Sequence, residues 1–232
     1  SYLAVGSNLG NKLKNIENAK FELQNNKIEI IKSSSNFESV SWPDSSHPKY
    51  INIVLEIKTN LAPLELLRRC NLIEKKLGRK KSKKNDPRTC DIDIIDFNNK
   101  VFNFKLNNLD FCVPHAKLIY RNFVLYPLKE VSPCWKHPKT GKLIDDLINN
   151  LKMEDKKSIL KIDKSWYKQL MLNREDLIKK VKNYNPFLNQ EALTKAYTFA
   201  LNAHENQKRE SGDPYLVHPV AVADILCELK LD

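Results

Sequence analysis

Over the first 97 residues, the order in which apolar spacing changes constrains the fold of this chain more than any other feature. Tyr2–Val5 is a short apolar run ending at Gly6-Ser7-Asn8, where a strand gives way to a helix start. Leu13, Ile16, Ala19 and Leu23 then recur at helical spacing through about Asn25, with Ser7 or Asn8 expected as the cap. Ile28, Ile30 and Ile31 predict a strand, and Tyr50–Ile57, rich in β-branched residues, predicts another. Between them, residues 38–49 read as a polar loop with two prolines. Ala62–Leu77 carries Pro63 early, then Leu66, Leu67, Ile73 and Leu77, which predicts a second helix. A strand through Asp91–Phe97 closes the series. Strand, helix, two strands, helix, strand is the α+β, ferredoxin-like (βαββαβ) order. Residues 98–150 are expected to add irregular structure and one or two short helices.

Residues 152–172, which open on a lysine-rich stretch poor in apolar residues, read as a linker. Arg174–Val181, Glu191–Ala203 and Pro219–Leu229 have helical spacing. The expected domains are therefore residues 1–151 and a small all-α segment, residues 173–232. A hydrophobic fraction of 41% over 232 residues is enough to fill a core. No run approaches the ~18 apolar residues of a membrane helix. The N-terminus has neither a basic nor a long apolar stretch of a secretory signal. Five scattered cysteines without CxxC spacing exclude a disulfide scaffold or zinc finger. A reducing cytoplasm is the expected compartment.

The net charge of +11 lies entirely in residues 1–164, because residues 165–232 carry nine basic and nine acidic side chains. The basic focus is Lys75–Arg88, with eight cations and one acid, Asp86. Such a focus attracts a polyanion, either nucleic acid or nucleotide phosphates. Directly after it comes Asp91-Ile92-Asp93-Ile94-Ile95, whose period of two puts both carboxylates on one strand face. Paired carboxylates beside phosphate-binding cations suit a Mg²⁺–nucleotide site. A solvated polar strand face is the bland alternative. No Walker A string is present, so side chains would have to do the work of a phosphate-binding backbone loop.

Six strings, in order, resemble the 6-hydroxymethyl-7,8-dihydropterin pyrophosphokinases of folate biosynthesis. They are Val5-Gly6-Ser7-Asn8-Leu9-Gly10, Tyr50-Ile51-Asn52, Glu74 to Gly78-Arg79, Pro87-Arg88-Thr89 to Asp91-Ile92-Asp93, Val113-Pro114-His115, and Arg121-Asn122-Phe123-Val124-Leu125-Tyr126-Pro127-Leu128. The resemblance implies attack of the pterin hydroxymethyl oxygen on the β-phosphorus of ATP, with AMP leaving. It implies that Asp91 and Asp93 hold two Mg²⁺ ions, and that Arg79, Lys81, Arg88, Ile94, His115 and Arg121 bind ATP. Arg79 and Arg88, with Asp91 and Asp93, would be catalytic. Tyr50 and Phe123 would flank the flat pterin, Asn52 would bond its amide edge, and Ser39, Val40 and Trp42 would line its pocket. Taken without the resemblance, Tyr50 and Phe123 also read as ordinary core aromatics.

Two departures bear on rate. Asn85 stands where the family usually has an aromatic, and Lys80 or Lys81 where a second arginine is common. Lysine cannot reproduce a bidentate phosphate grip, so Lys81→Arg is expected to raise kcat/KM. Residues ~173–232 resemble the start of the hydrolase domain of guanosine tetraphosphate synthetase/hydrolases. There Arg209 matches a nucleotide contact and His218 a first metal ligand. One histidine cannot hold a catalytic metal, so the tail is expected to be hydrolytically inactive. The expected partners are ATP and the pterin, with no nucleic acid and no membrane, in a monomer or a weak homodimer through the tail. The alternatives are a basic RNA- or nucleotide-binding α+β module and a guanine-nucleotide sensor without catalysis.

Overall fold

The computed structural model describes residues 1–41, 44–79, 86–106, 109–162, 174–204 and 223. Trp42, Lys81, Asn85, Arg209 and His218 lie outside them. Two compact units divide the chain, Ser1–Asp163 and Lys164–Asp232.

In the first unit the elements run β1 (Tyr2–Ser7), α1 (Lys12–Asn25), β2 (Glu29–Ser33), β3 (Phe37–Ser39), β4 (Tyr50–Lys58), α2 (Pro63–Lys76) and β5 (Asp91–Asp96). They continue with β6 (Phe102–Leu106), β7 (Leu109–Val113), a 3₁₀ turn at Leu118–Tyr120, α3 (Asn122–Val131), α4 (Ile144–Asn149), α5 (Met153–Lys157) and β8 (Ile159–Lys161). Six strands form one sheet in the order β5-β1-β4-β3-β8, with β2 also pairing β4, and every pairing is antiparallel. β6 and β7 form a separate hairpin.

Alternation on β1, β4 and β5 gives the sheet two different faces. One face packs Leu3, Val5, Ile53, Leu55, Ile92 and Ile94 against Ile16, Ala19 and Leu23 of α1 and Leu66, Cys70 and Ile73 of α2. The opposite face packs Val54 and Ile95 beneath Val124, Leu125 and Leu128 of α3, with Trp135 and α4. That second cover reaches only part of the face, and the uncovered part carries the site.

The helix cap differs from expectation. Asn8 accepts from the Arg88 N–H (2.8 Å) and donates to Ser41 Oγ (3.2 Å) and the Pro48 carbonyl (3.1 Å). Its side chain is thus committed to two loops, and the cap falls on Asn11, which accepts from Lys14 N. Pro63 opens α2, and Gly78, at φ +86°, follows its last turn in a conformation that favours glycine. The stretch expected as linker begins with α5 and β8. β8 joins the sheet against β3, so the first unit runs on to Asp163. In the second unit, α6 (Arg174–Lys182) and α7 (Gln190–His204) are the described helices.

Candidate active site

Register sets the site. Gly6 stands opposite both Asn52 and Asp91, Ala4 opposite both Val54 and Asp93, and Ser39 opposite Tyr50. Directly opposed residues in an antiparallel pair point to the same face, so these side chains share the partly uncovered one. There all of them but Val54, which is buried beneath α3, line a cleft of about 320 Å³ with Val40, Arg88, His115, Ala116, Lys117, Arg121 and Phe123.

At one end the carboxylates meet arginines. Asp91 Oδ1 accepts from Arg79 Nη1 (2.8 Å) and Arg88 Nη1 (3.0 Å), and Asp93 Oδ2 accepts from Arg121 Nη1 (2.6 Å). Arg79 also bonds Glu74, whose Oε1 accepts from the Ile92 N–H at 2.7 Å. Glu74 is 4% exposed, and burial pushes its carboxyl up to about 7, against the opposing pull of Arg79 and the Ile92 N–H. Arg121 Nε and Thr89 Oγ1 are buried without a partner among the described residues. Such orphan donors are costly unless a ligand or water meets them.

Asp91 and Asp93 supply only oxygen donors, two residues apart on one strand face. That donor set fits Mg²⁺, which combines one or two carboxylates with substrate phosphates and waters. Two carboxylates cannot complete such a shell, so a metal here would need further ligands from a polyphosphate or water.

At the other end the lining is flat and apolar with one amide. Asn52 Nδ2 donates to Ser39 Oγ (3.0 Å), while the Arg121 guanidinium lies 5.5 Å from the Phe123 ring centroid. Burial raises the Tyr50 phenol above its ordinary value. His115 Nδ1 accepts from Lys117 N (3.1 Å), and burial lowers the pKa of the ring, favouring neutral imidazole.

Of the residues singled out in the sequence, Ser39, Val40, Tyr50, Asn52, Arg88, Asp91, Asp93, His115, Arg121 and Phe123 line this cleft. Arg79 joins through Asp91. Ile94 does not: its side chain is 4% exposed in the core against α1 and α2, because it is out of phase with the two aspartates. Sequence reasoning gave no role to Lys117 or Glu74. The signal for Glu74 was a carboxylate inside the apolar stripe Leu66, Cys70, Ile73 of α2.

Residues 2–133 match the model of the family described as 7,8-dihydro-6-hydroxymethylpterin-pyrophosphokinase. A 2-amino-4-hydroxy-6-hydroxymethyldihydropteridine pyrophosphokinase of Aquifex aeolicus is 39% identical over 137 residues, which cover 59% of this chain and 82% of that one. The folic acid synthesis protein fol1 of Pneumocystis carinii is 35% identical over 159 residues, which cover 68% of this chain but only 21% of that longer protein. Among solved structures, an HPPK-DHPS in complex with substrates superposes with a TM-score of 0.52 at 18% identity. That match covers 64% of this chain and 42% of the other. The wild-type Plasmodium falciparum HPPK-DHPS with SDX-DHP gives 0.51 at 17%, covering 64% and 43%.

Proposed function

The chain belongs to the 7,8-dihydro-6-hydroxymethylpterin-pyrophosphokinase family, and from that premise we propose how its residues transfer pyrophosphate from ATP to the pterin. The hydroxymethyl oxygen attacks the β-phosphorus of ATP. The new bond is O–Pβ, the bond that breaks joins Pβ to the oxygen bridging to Pα, AMP carries that oxygen away, and the hydroxyl proton passes to solvent.

Asp91 and Asp93 would hold two Mg²⁺ ions, which supply charge neutralisation at the phosphates. Arg79, Arg88 and Arg121, now spent on the aspartates, would turn to the phosphate oxygens and stabilise charge spreading there. Arg121 Nε has no partner among the described residues, which supports that role. His115 and Lys117, which line the same cleft, would meet the nucleotide. Tyr50 and Phe123 would bracket the pterin ring, and Asn52 would read its amide edge from a bonded position beside Ser39. The remaining assigned contacts, Lys81 to ATP and Trp42 to the pterin, belong to the same reading. The antiparallel order β5-β1-β4-β2 supports a ferredoxin-like core, and α6 and α7 support an all-α second unit.

One observation carries this reading: a flat pocket with a bonded amide and a carboxylate pair paired with Arg88 and Arg121 open into the same cleft. Its test is AMP formation from MgATP with and without the pterin, for the intact chain and for Asp91→Ala and Asp93→Ala. AMP that depends on pterin and collapses in both variants is the expected result. AMP without pterin dependence, or full activity in either variant, refutes the assignment. The guanine-nucleotide reading of the second unit has its own test, loss of guanosine tetraphosphate binding on Arg209→Ala.

A further inference from the structure

The match to the family model ends at residue 133, and the polypeptide that follows returns to both walls of the cleft. One wall is the start of α3, where Arg121 and Phe123 face the cleft. Between them Asn122 is buried and points away from it. Asn122 Nδ2 donates to the Asp155 carbonyl (2.5 Å) and to Ser158 Oγ (2.9 Å), and its Oδ1 accepts from Phe123 N (2.7 Å). The other wall is the end of β3, where Ser39 and Val40 line the cleft. β8 pairs with that strand, Ser39 opposite Ile159 and Phe37 opposite Lys161, and Ile162 N donates to the Asn36 carbonyl (2.9 Å). Ser158 is thus the joint between the two anchorages.

A second tie runs parallel to the first. Glu130, near the end of α3, accepts from Ser35 N (3.1 Å) and Ser35 Oγ (2.8 Å), and pairs with Lys161 of β8 (3.2 Å). α5 buries none of its residues, and Leu160 of β8 is 64% exposed. Apart from Ile162, which packs against the main core, the segment is held by polar ties and adds little core burial, so its arrangement is better explained by what it connects.

We propose that residues 153–162 are a strap that holds the start of α3 at a fixed distance from the end of β3, and so sets the gap that receives the flat substrate. Asn122 and Ser158 are its positioning residues. The inference rests on the pterin reading above, and it adds to that reading the element that sets pocket width.

The test compares the full chain with Asn122→Ala, Ser158→Ala and the double variant. KM for the pterin is expected to rise about 3- to 10-fold, with KM for MgATP within about twofold of its starting value. The double variant should be no worse than the poorer single, because both remove one bonded unit. Amide hydrogen exchange should quicken in both residues 36–40 and residues 121–126. Unchanged pterin KM overturns the proposal. So does a parallel rise in both KM values with a fall in melting temperature, which marks general destabilisation. If the unmutated chain forms no pterin-dependent AMP, the functional reading fails by itself, and exchange then decides the strap. Faster exchange at both walls upholds it, and faster exchange confined to residues 153–162 overturns it.

Discussion

At Gly6 even a methyl group would be crowded. A Cβ there would lie 3.1 Å from Asn52 Oδ1 and 3.4 Å from Tyr50 Cδ1. Gly6→Ala is therefore expected to push the Asn52 amide by a few tenths of an ångström and raise KM for the pterin severalfold, while KM for ATP holds, as steady-state kinetics will show. The carboxylates are more stringent. Asp91→Ala or Asp93→Ala should lower pterin-dependent AMP formation by at least about 10³-fold. Glu74 sets a pH dependence. Its folded pKa of about 7 lies above its ordinary 4.5, so the native state holds this proton more tightly than the unfolded chain. That contribution to stability is complete below pH 4.5 and is lost as pH rises through about 7. Glu74→Gln should remove up to about 3 kcal/mol of this pH dependence in urea unfolding between those limits. The aspartates were legible because a DxD pattern declares its own face. The role of Glu74 was not, because a lone acid on a helix stripe does not name its partners, which here lie on residue 79 and on the backbone of a distant strand.

Elements became legible in proportion to how local their causes are. β5 reads directly from its alternation, and α1 and α2 from theirs. β3 is three residues long and exists because β4 and β8 flank it, a pairing that no window of sequence contains. The β6–β7 hairpin has a period-two pattern in Phe102, Phe104, Phe111 and Val113, whose first three rings stack in succession. Its break, Asn107-Asn108, lacks the glycine that marks a tight turn, and the pattern passed as irregular. The loop after β1 has a similar logic. Asn8 joins it to the approach to β5 and to Ser41 and Pro48. Asn8→Ala should cost about 2 kcal/mol in denaturant unfolding, since it strands the Arg88 N–H and loosens an arginine that lines the cleft.

For the molecule as a whole, charge and connectivity matter together. The basic excess sits in the unit that holds the cleft, so KM for MgATP should rise severalfold between about 50 and 500 mM monovalent salt. Chelation of Mg²⁺ should abolish transfer and leave the melting temperature unchanged, because Arg79, Arg88 and Arg121 already neutralise both aspartates. The cleft itself draws on residues from Ala4 to Phe123, and β1, the first strand made, is flanked by β4 and β5, made much later. At a synthesis rate of about 5–20 residues per second, β5 follows β1 by roughly 5–20 s. Until β4 arrives, about halfway through that interval, both edges of β1 are bare, and the edge that β5 will cover stays bare to its end. The birth of this enzyme is thus a period of waiting, during which a chaperone that shields a single apolar strand has more to protect than at any later time.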